Sequence, residues 1–288
     1  MKINSLFNHR PMFKAQHCIN RAALAVLLGL LGVAAAAAAA EQPSVQLEEL
    51  TWPEVKERVE AGSTTILVPI GGTEQNGPYM VLGKHNVRAK YLADAIAHRL
   101  GNALVAPVVA YVPEGQIKPP ASHMRFPGTI SIPEAAFESL LESTARSFKQ
   151  HGFRHIFFLG DHGGYQKNEE HVASRLNREW GNDSSCRAYA LLDYYKTSEG
   201  AFVAYLKTKG LTDAEIGTHA GVADTSLAMA VDKKLVRTDA LSRSKGSAPD
   251  LGVYGDPRKS SVELGQAGIE LIVKNSVAAI QKATRSSR

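Results

Sequence analysis

The stretch 64-TTILVPI-70 runs directly into 71-GGTEQNGP-78. It is apolar and β-branched without alternation, and it stops at two glycines. An uninterrupted apolar run of this length suits a strand covered on both faces, as in a parallel sheet. Three more runs of the same kind follow: 103-ALVAPVVA-110, 155-HIFFL-159 before Gly160, and 187-RAYALL-192. Helical periods separate them. Residues 86–100 place Tyr91, Leu92, Ala95, Ile96 and Leu100 on one side, with Gly101 as a stop. Residues 133–150 put Pro133 in a first turn and Phe137, Leu140, Leu141, Thr144 and Phe148 on a buried stripe. Residues 168–180 and 262–283 form two further helices, and a short one spans 225–231. Strand alternating with helix predicts an α/β fold, a doubly wound sheet with helices on both faces. Two stretches, 111–129 and 242–261, lack periodicity. Loops that long in a compact domain serve a site or an interface, or simply cover the surface.

The first forty of the 288 residues read as a signal peptide, and 41–288 as one domain. Lys2, Arg10, Lys14 and Arg21 make a basic start without acidic residues, 22–33 is a short apolar core, and Ala38, Ala39 and Ala40 supply a small-residue cleavage site. The apolar core is short for a membrane span, so no stable insertion is expected after cleavage, with an uncleaved anchor as the alternative. The expected location is periplasmic or secreted. The chain carries 33 Lys and Arg against 28 Asp and Glu, and the four basic residues of the first forty account for most of that excess. A nearly neutral mature chain gives no reason to expect a nucleic-acid partner. Cys186 is the one cysteine beyond the signal, so no intrachain disulfide can form.

Ligands of open α/β sheets bind beyond the carboxyl ends of strands. Two such ends carry polar clusters here. In 73-TEQN-76, Glu74 and Asn76 point the same way in extended backbone. A turn with a capping carboxylate is the plainer reading, and a phosphate loop lacks its GxGxxG or GK[ST] pattern. In 160-GDHGG-164, His162 stands between Asp161 and the glycines Gly163 and Gly164, where backbone can approach a ligand closely. His85 precedes the first long helix, His123 and Arg125 lie in the 111–129 stretch, and His219 and Asp224 fall in 217-GTHAGVADTS-226. Asp224 can also cap the helix after it. His98, His151, His155 and His171 fall within helix or strand patterns and read as structural.

The segments GGTEQNGPYMVLGKH, SHMRFPGTIS, GDHGGYQKN and HAGVADTS, in that order, resemble the creatininase family of metal-dependent amidohydrolases. The family patterns are GSTEQHGPHLPL-x-TD, EH-x-x-FPGTIS, NGHGGN or NGHYEN, and HAG-x-x-ET-S. The resemblance implies a three-layer α/β/α sandwich with a mainly parallel central sheet, often in a hexamer. It implies divalent metals held by the Glu and His of TEQH, the Asp of TD and the His of NGH. Glu74 and His162 match. Asn76 stands at the TEQH histidine, His85 at the TD aspartate and Gly164 at the HYE glutamate.

An imidazole bridges two metals poorly, so these departures imply one metal per chain rather than two. Glu74, His85 and His162 would hold it, with Asn76 at best a weak oxygen ligand. Zinc fits such a set with an open position for water, and manganese or iron is possible. Asp161 would orient His162. His219, Asp224 and His123 take catalytic and proton-transfer roles. Arg125 would hold a substrate carboxylate, with Gly163 and Gly164 beside the substrate. The expected activity is hydrolysis of a small cyclic amide or related C–N or C–O bond. A catalytically inactive small-ligand-binding protein and an iron-dependent isomerase or oxygenase are the alternatives.

Overall fold

The computed structural model describes residues 44–286 apart from 182 and 184. The expected signal peptide, 1–40, lies outside the described residues. Four strands, β1 (Thr65–Ile70), β2 (Ala103–Val105), β3 (His155–Gly160) and β4 (Arg187–Ala190), form one parallel sheet in the order β2-β1-β3-β4. The α-helices are α1 (Trp52–Glu60), α2 (Lys84–Leu100), α3 (Glu134–Gln150), α4 (Gln166–Trp180), α5 (Leu192–Thr197), α6 (Val203–Thr208), α7 (Val222–Val231) and α8 (Val262–Ser286), besides shorter turns. A π-turn, Ser198–Phe202, joins α5 to α6.

All six β1 residues are buried, and their side chains alternate between two cores. Leu67 joins Phe157 and Leu159 on the face covered by α2, α7 and α8, through Leu92, Ile96, Leu227 and Ile272. Ile66, Val68 and Ile70 join Ile156 and Phe158 on the face covered by α3 and α4, through Phe137, Leu141, Val172 and Leu176. This is the three-layer α/β/α sandwich. Among the described residues, no helix is long and apolar enough to cross a membrane.

Four expectations shift in detail. The 103–110 run is a strand only to Val105, because Pro107 has no N–H to give the ladder. The chain rejoins β1 at Val109, whose N–H reaches Pro69 O at 3.0 Å. The 187–192 run ends at Ala190, and Leu192 opens α5. Tyr91 and Leu140 point outward, 44% and 45% exposed, since the buried stripes run through Ala89, Leu92, Ala93 and Ile96 and through Phe137, Leu141, Ala145 and Phe148. Pro133 is the residue before α3 rather than part of its first turn.

β2 and β3 flank β1 on opposite sides, so the connections leaving β1 and β3 diverge and leave a crevice at their carboxyl ends. Tyr165, just after β3, places its hydroxyl 2.6 Å from Gly71 O and 3.0 Å from Ile70 O. That buried contact locks the two strand ends together.

The packing makes a direct contrast. Leu67→Ala is expected to cost about 2–5 kcal/mol through lost burial and a cavity. Leu140→Ala should stay within about 0.5 kcal/mol, as a surface change does. Denaturant titration of both variants measures the difference.

Candidate metal centre

Glu74 lies four residues beyond β1, and its side chain has no solvent exposure. Its backbone N–H is fixed to Leu82 O at 3.2 Å. Four histidines from four segments surround its carboxylate. His85 Nε2 is 2.7 Å from Oε1 and His219 Nδ1 is 3.8 Å from it. His123 Nε2 is 3.1 Å from Oε2 and His162 Nε2 is 3.6 Å from it. Oε2 still makes no hydrogen bond. His85 comes from the first turn of α2, His123 from the turn Ser122–Arg125, His162 from the end of β3, and His219 from the loop before α7.

A fifth group was not foreseen. Glu114, buried in the segment after β2, brings Oε2 to 3.9 Å from His162 Nδ1. Glu74, Glu114, His123 and His162 can each offer a donor atom within 4.8 Å of the others. His85 stands beside that set. Its Nδ1 faces Asp161 Oδ2 at 2.6 Å while its Nε2 faces Glu74.

Behind the histidines is a layer of buried charge. Arg88, on the same face of α2 as His85, donates Nε to Asp161 Oδ2 at 2.8 Å and a terminal nitrogen to Asp224 Oδ1 at 3.0 Å. Lys84 Nζ sits 2.8 Å from Asp224 Oδ2. Tyr194 donates its hydroxyl to Asp161 Oδ1 at 2.7 Å. Asp161 therefore orients His85, not His162 as expected. Successive side chains in extended backbone point to opposite sides, so Asp161 is turned away from the ring of its neighbour His162. Asp224 is not a helix cap: it lies within the first turn of α7, and its Oδ2 accepts the Ala220 N–H at 3.0 Å.

Burial works against the charged form of every group here. It takes His162 and His219 down to about 4, and lowers His123 as well. These rings are neutral near pH 7, the state in which imidazole binds a metal or accepts a proton. Burial also opposes ionisation of Glu74, but His85, His162 and Lys84 together hold it well below the usual carboxylate range. Glu114 is pushed up to about 9, by burial first and then by the adjacent Glu74 charge. Asp161 and Asp224 stay low because their cations outweigh the cost of burial.

The other anticipated residues have definite places. Asn76 is buried; its amide nitrogen donates to Glu74 O at 2.9 Å and Val81 O at 3.4 Å, holding the loop, while its Oδ1, the atom a metal would take, has no hydrogen-bond partner. Gly164 N–H donates to His162 Nδ1 at 3.0 Å. Gly163 lies against Tyr195, where a Cβ would come 2.8 Å from its hydroxyl. Arg125 is exposed, bonded to Ser122 O at 3.3 Å and placed over the Phe126 ring, outside the histidine ring. Gln75 was not singled out, yet its Nε2 lies 3.0 Å from His123 Nδ1 and 3.1 Å from His219 Nε2, tying the two rings. Lys84 and Arg88 were readable in principle, since they fall with His85 on the inner face of one helix. Glu114 offered only a lone carboxylate within a loop already suspected of serving a site.

Comparison with known proteins gives the family. The family model described as Creatininase, creatinine amidohydrolase, matches residues 48–280. The chain belongs to the creatininase family. It is thereby a member of an amidohydrolase family. It is 32% identical over 222 residues to the mycofactocin precursor peptide peptidase of Mycolicibacterium smegmatis, covering 70% of this chain and 78% of that one. It is 28% identical over 201 residues to the creatinine amidohydrolase of Pseudomonas putida, covering 68% and 75%. A crystal structure of creatinine amidohydrolase superposes with a TM-score of 0.68 at 25% identity, over 84% of this chain and 98% of the other. Other creatininase structures are described as a Zn–Zn type and as a Mn form.

Removing Arg88 should expose the strain in the buried charge layer. Arg88→Met leaves Asp161 and Asp224 short of a cation and is expected to destabilise the fold by about 3–5 kcal/mol. Chemical denaturation at neutral pH measures it.

Proposed function

We propose that the chain is an exported, metal-dependent hydrolase that cleaves the amide C–N bond of a cyclic amide or a peptide. One observation carries this reading. A carboxylate with no solvent exposure, Glu74, leaves Oε2 without a hydrogen bond amid neutral imidazoles. That is the chemistry of a cation site, because an unpaired buried carboxylate is costly and neutral imidazole is a ligand. Carboxylate and imidazole donors suit Zn²⁺ and also accept Mn²⁺ or Fe²⁺. The donors gather around one point, which favours one ion per chain. A divalent ion held there supplies Lewis acidity and brings the pKa of a bound water toward about 7.

The chain's own residues supply the rest. Asp161 fixes the His85 ring through Nδ1, and His85 in turn fixes Glu74. Next to His162 and His219 is a small cavity of about 80 Å³, which Tyr195, Ser198 and Thr218 also line. Its size suits a small acyl or amine group. His219, neutral near pH 7 and held by Gln75, is placed to take a proton from the attacking water and then pass it to the leaving nitrogen. Asp224 acts at a distance, by anchoring Lys84 and Arg88. The amide bond is the feature shared by the substrates named for the two curated relatives. Export rests on the pattern of residues 1–40, and assembly as a homo-oligomer on the family resemblance.

Two outcomes are expected. Chelation should abolish hydrolysis of a panel of cyclic amides and short peptides, and added Zn²⁺ or Mn²⁺ should restore it. Full activity in metal-free protein would contradict the reading. His219→Ala should lower kcat by about 10²–10⁴-fold with metal content unchanged, measured by steady-state kinetics and elemental analysis.

A further inference from the structure

Glu114 lies outside all four family motifs. Its position is nevertheless built. Its backbone N–H donates to Ser131 Oγ at 3.0 Å, and that hydroxyl donates to Gly115 O at 2.7 Å. The same segment ties down the Glu74 loop: Thr129 Oγ1 accepts the Gln75 N–H at 3.1 Å, and Ile130 N–H reaches Thr73 O at 2.9 Å. The 126–131 stretch thus stitches the loop of Glu114 to the loop of Glu74.

The carboxylate itself has no exposed side-chain surface, and neither oxygen has a hydrogen-bond partner. Two carboxyl groups buried against one another are costly to ionise together unless a cation balances them. Gly72 makes the space. It sits at φ +144°, and a Cβ there would come 2.4 Å from Glu114 Oε1. Any side chain at 72 would therefore push the carboxylate out.

We propose that Glu114 is a ligand of the metal ion, completing a site of two carboxylates and two imidazoles with Glu74, His123 and His162. The inference rests on the metal-centre reading above. The class of ligand is a divalent transition metal, whose charge the two carboxylates balance. The loop after β2 thereby adds a second anionic donor to the Glu74 of the TEQN segment.

The test is zinc titration of the full mature chain against a chelating indicator, with elemental analysis after dialysis. Glu114→Gln keeps the shape and removes the anionic form that a metal would bind. It is expected to weaken zinc binding by more than the roughly 10- to 100-fold that loss of an orienting neighbour costs, while thermal unfolding of the metal-free protein is unchanged. Gly72→Ala should weaken binding in the same direction, although Glu114 is intact. Glu134→Gln, a nearby carboxylate outside the donor set, should bind as the wild type does. If Glu114→Gln does not fold, Glu114→Asp, which keeps the charge but withdraws it, should give an intermediate loss. Wild-type affinity in the folded Glu114 variants would overturn this inference and leave the metal centre standing. Failure of the wild-type chain to take up zinc, manganese or iron would overturn both.

Discussion

A carboxylate sealed from water at the end of a central strand constrains everything around it. Glu74 is fully buried and remains ionised. That state survives only if positive charge, or donors that substitute for it, close in from several sides. The fold supplies them from four separate segments: α2, the turn after Ala121, the end of β3 and the loop before α7. Each of those segments is held to the β1 end by its own contact, so the site depends on the topology and not on one loop's conformation.

Burial keeps His123, His162 and His219 neutral, and the charge layer behind them holds the neighbouring aspartates in fixed pairs. Arg88 pairs with both Asp161 and Asp224 and Lys84 with Asp224, while Asp161 also faces His85 and Tyr194. What is left facing the histidines is Glu74 with Glu114, the pair with unpartnered oxygens. Buried ion pairs of this kind add little net stability, but breaking one is costly. Their use here is positional: Asp161 sets the His85 ring, and Asp224 sets the first turn of α2 against α7.

The layer order and the strands at 65–70 and 155–160 were legible because an unbroken apolar run in an α/β pattern has few other uses. Helix existence was legible too. Helix faces were less so, because apolar residues such as Tyr91 and Leu140 sit at the margins of their stripes and periodicity alone does not say which margin faces inward. The 192–208 helical run was hidden by Leu191 and Leu192, which extend an apolar strand pattern. At the site, the glycine-framed clusters gathered as the motif positions imply: Glu74, His85, His123, His162 and His219 meet within one crevice. The misplacements have simple causes. Side-chain alternation sent Asp161 to His85, an exposed turn took Arg125 to Phe126, and nothing local marks a lone glutamate such as Glu114 as buried.

The most direct measurement of the central claim is a crystal structure of the zinc-loaded mature chain with anomalous scattering at the zinc edge. The account predicts a peak bonded to Glu74 at about 2.0–2.2 Å, with imidazole nitrogens in the same shell. A zinc-loaded crystal whose peak lies elsewhere, with Glu74 touching only histidines, would contradict it.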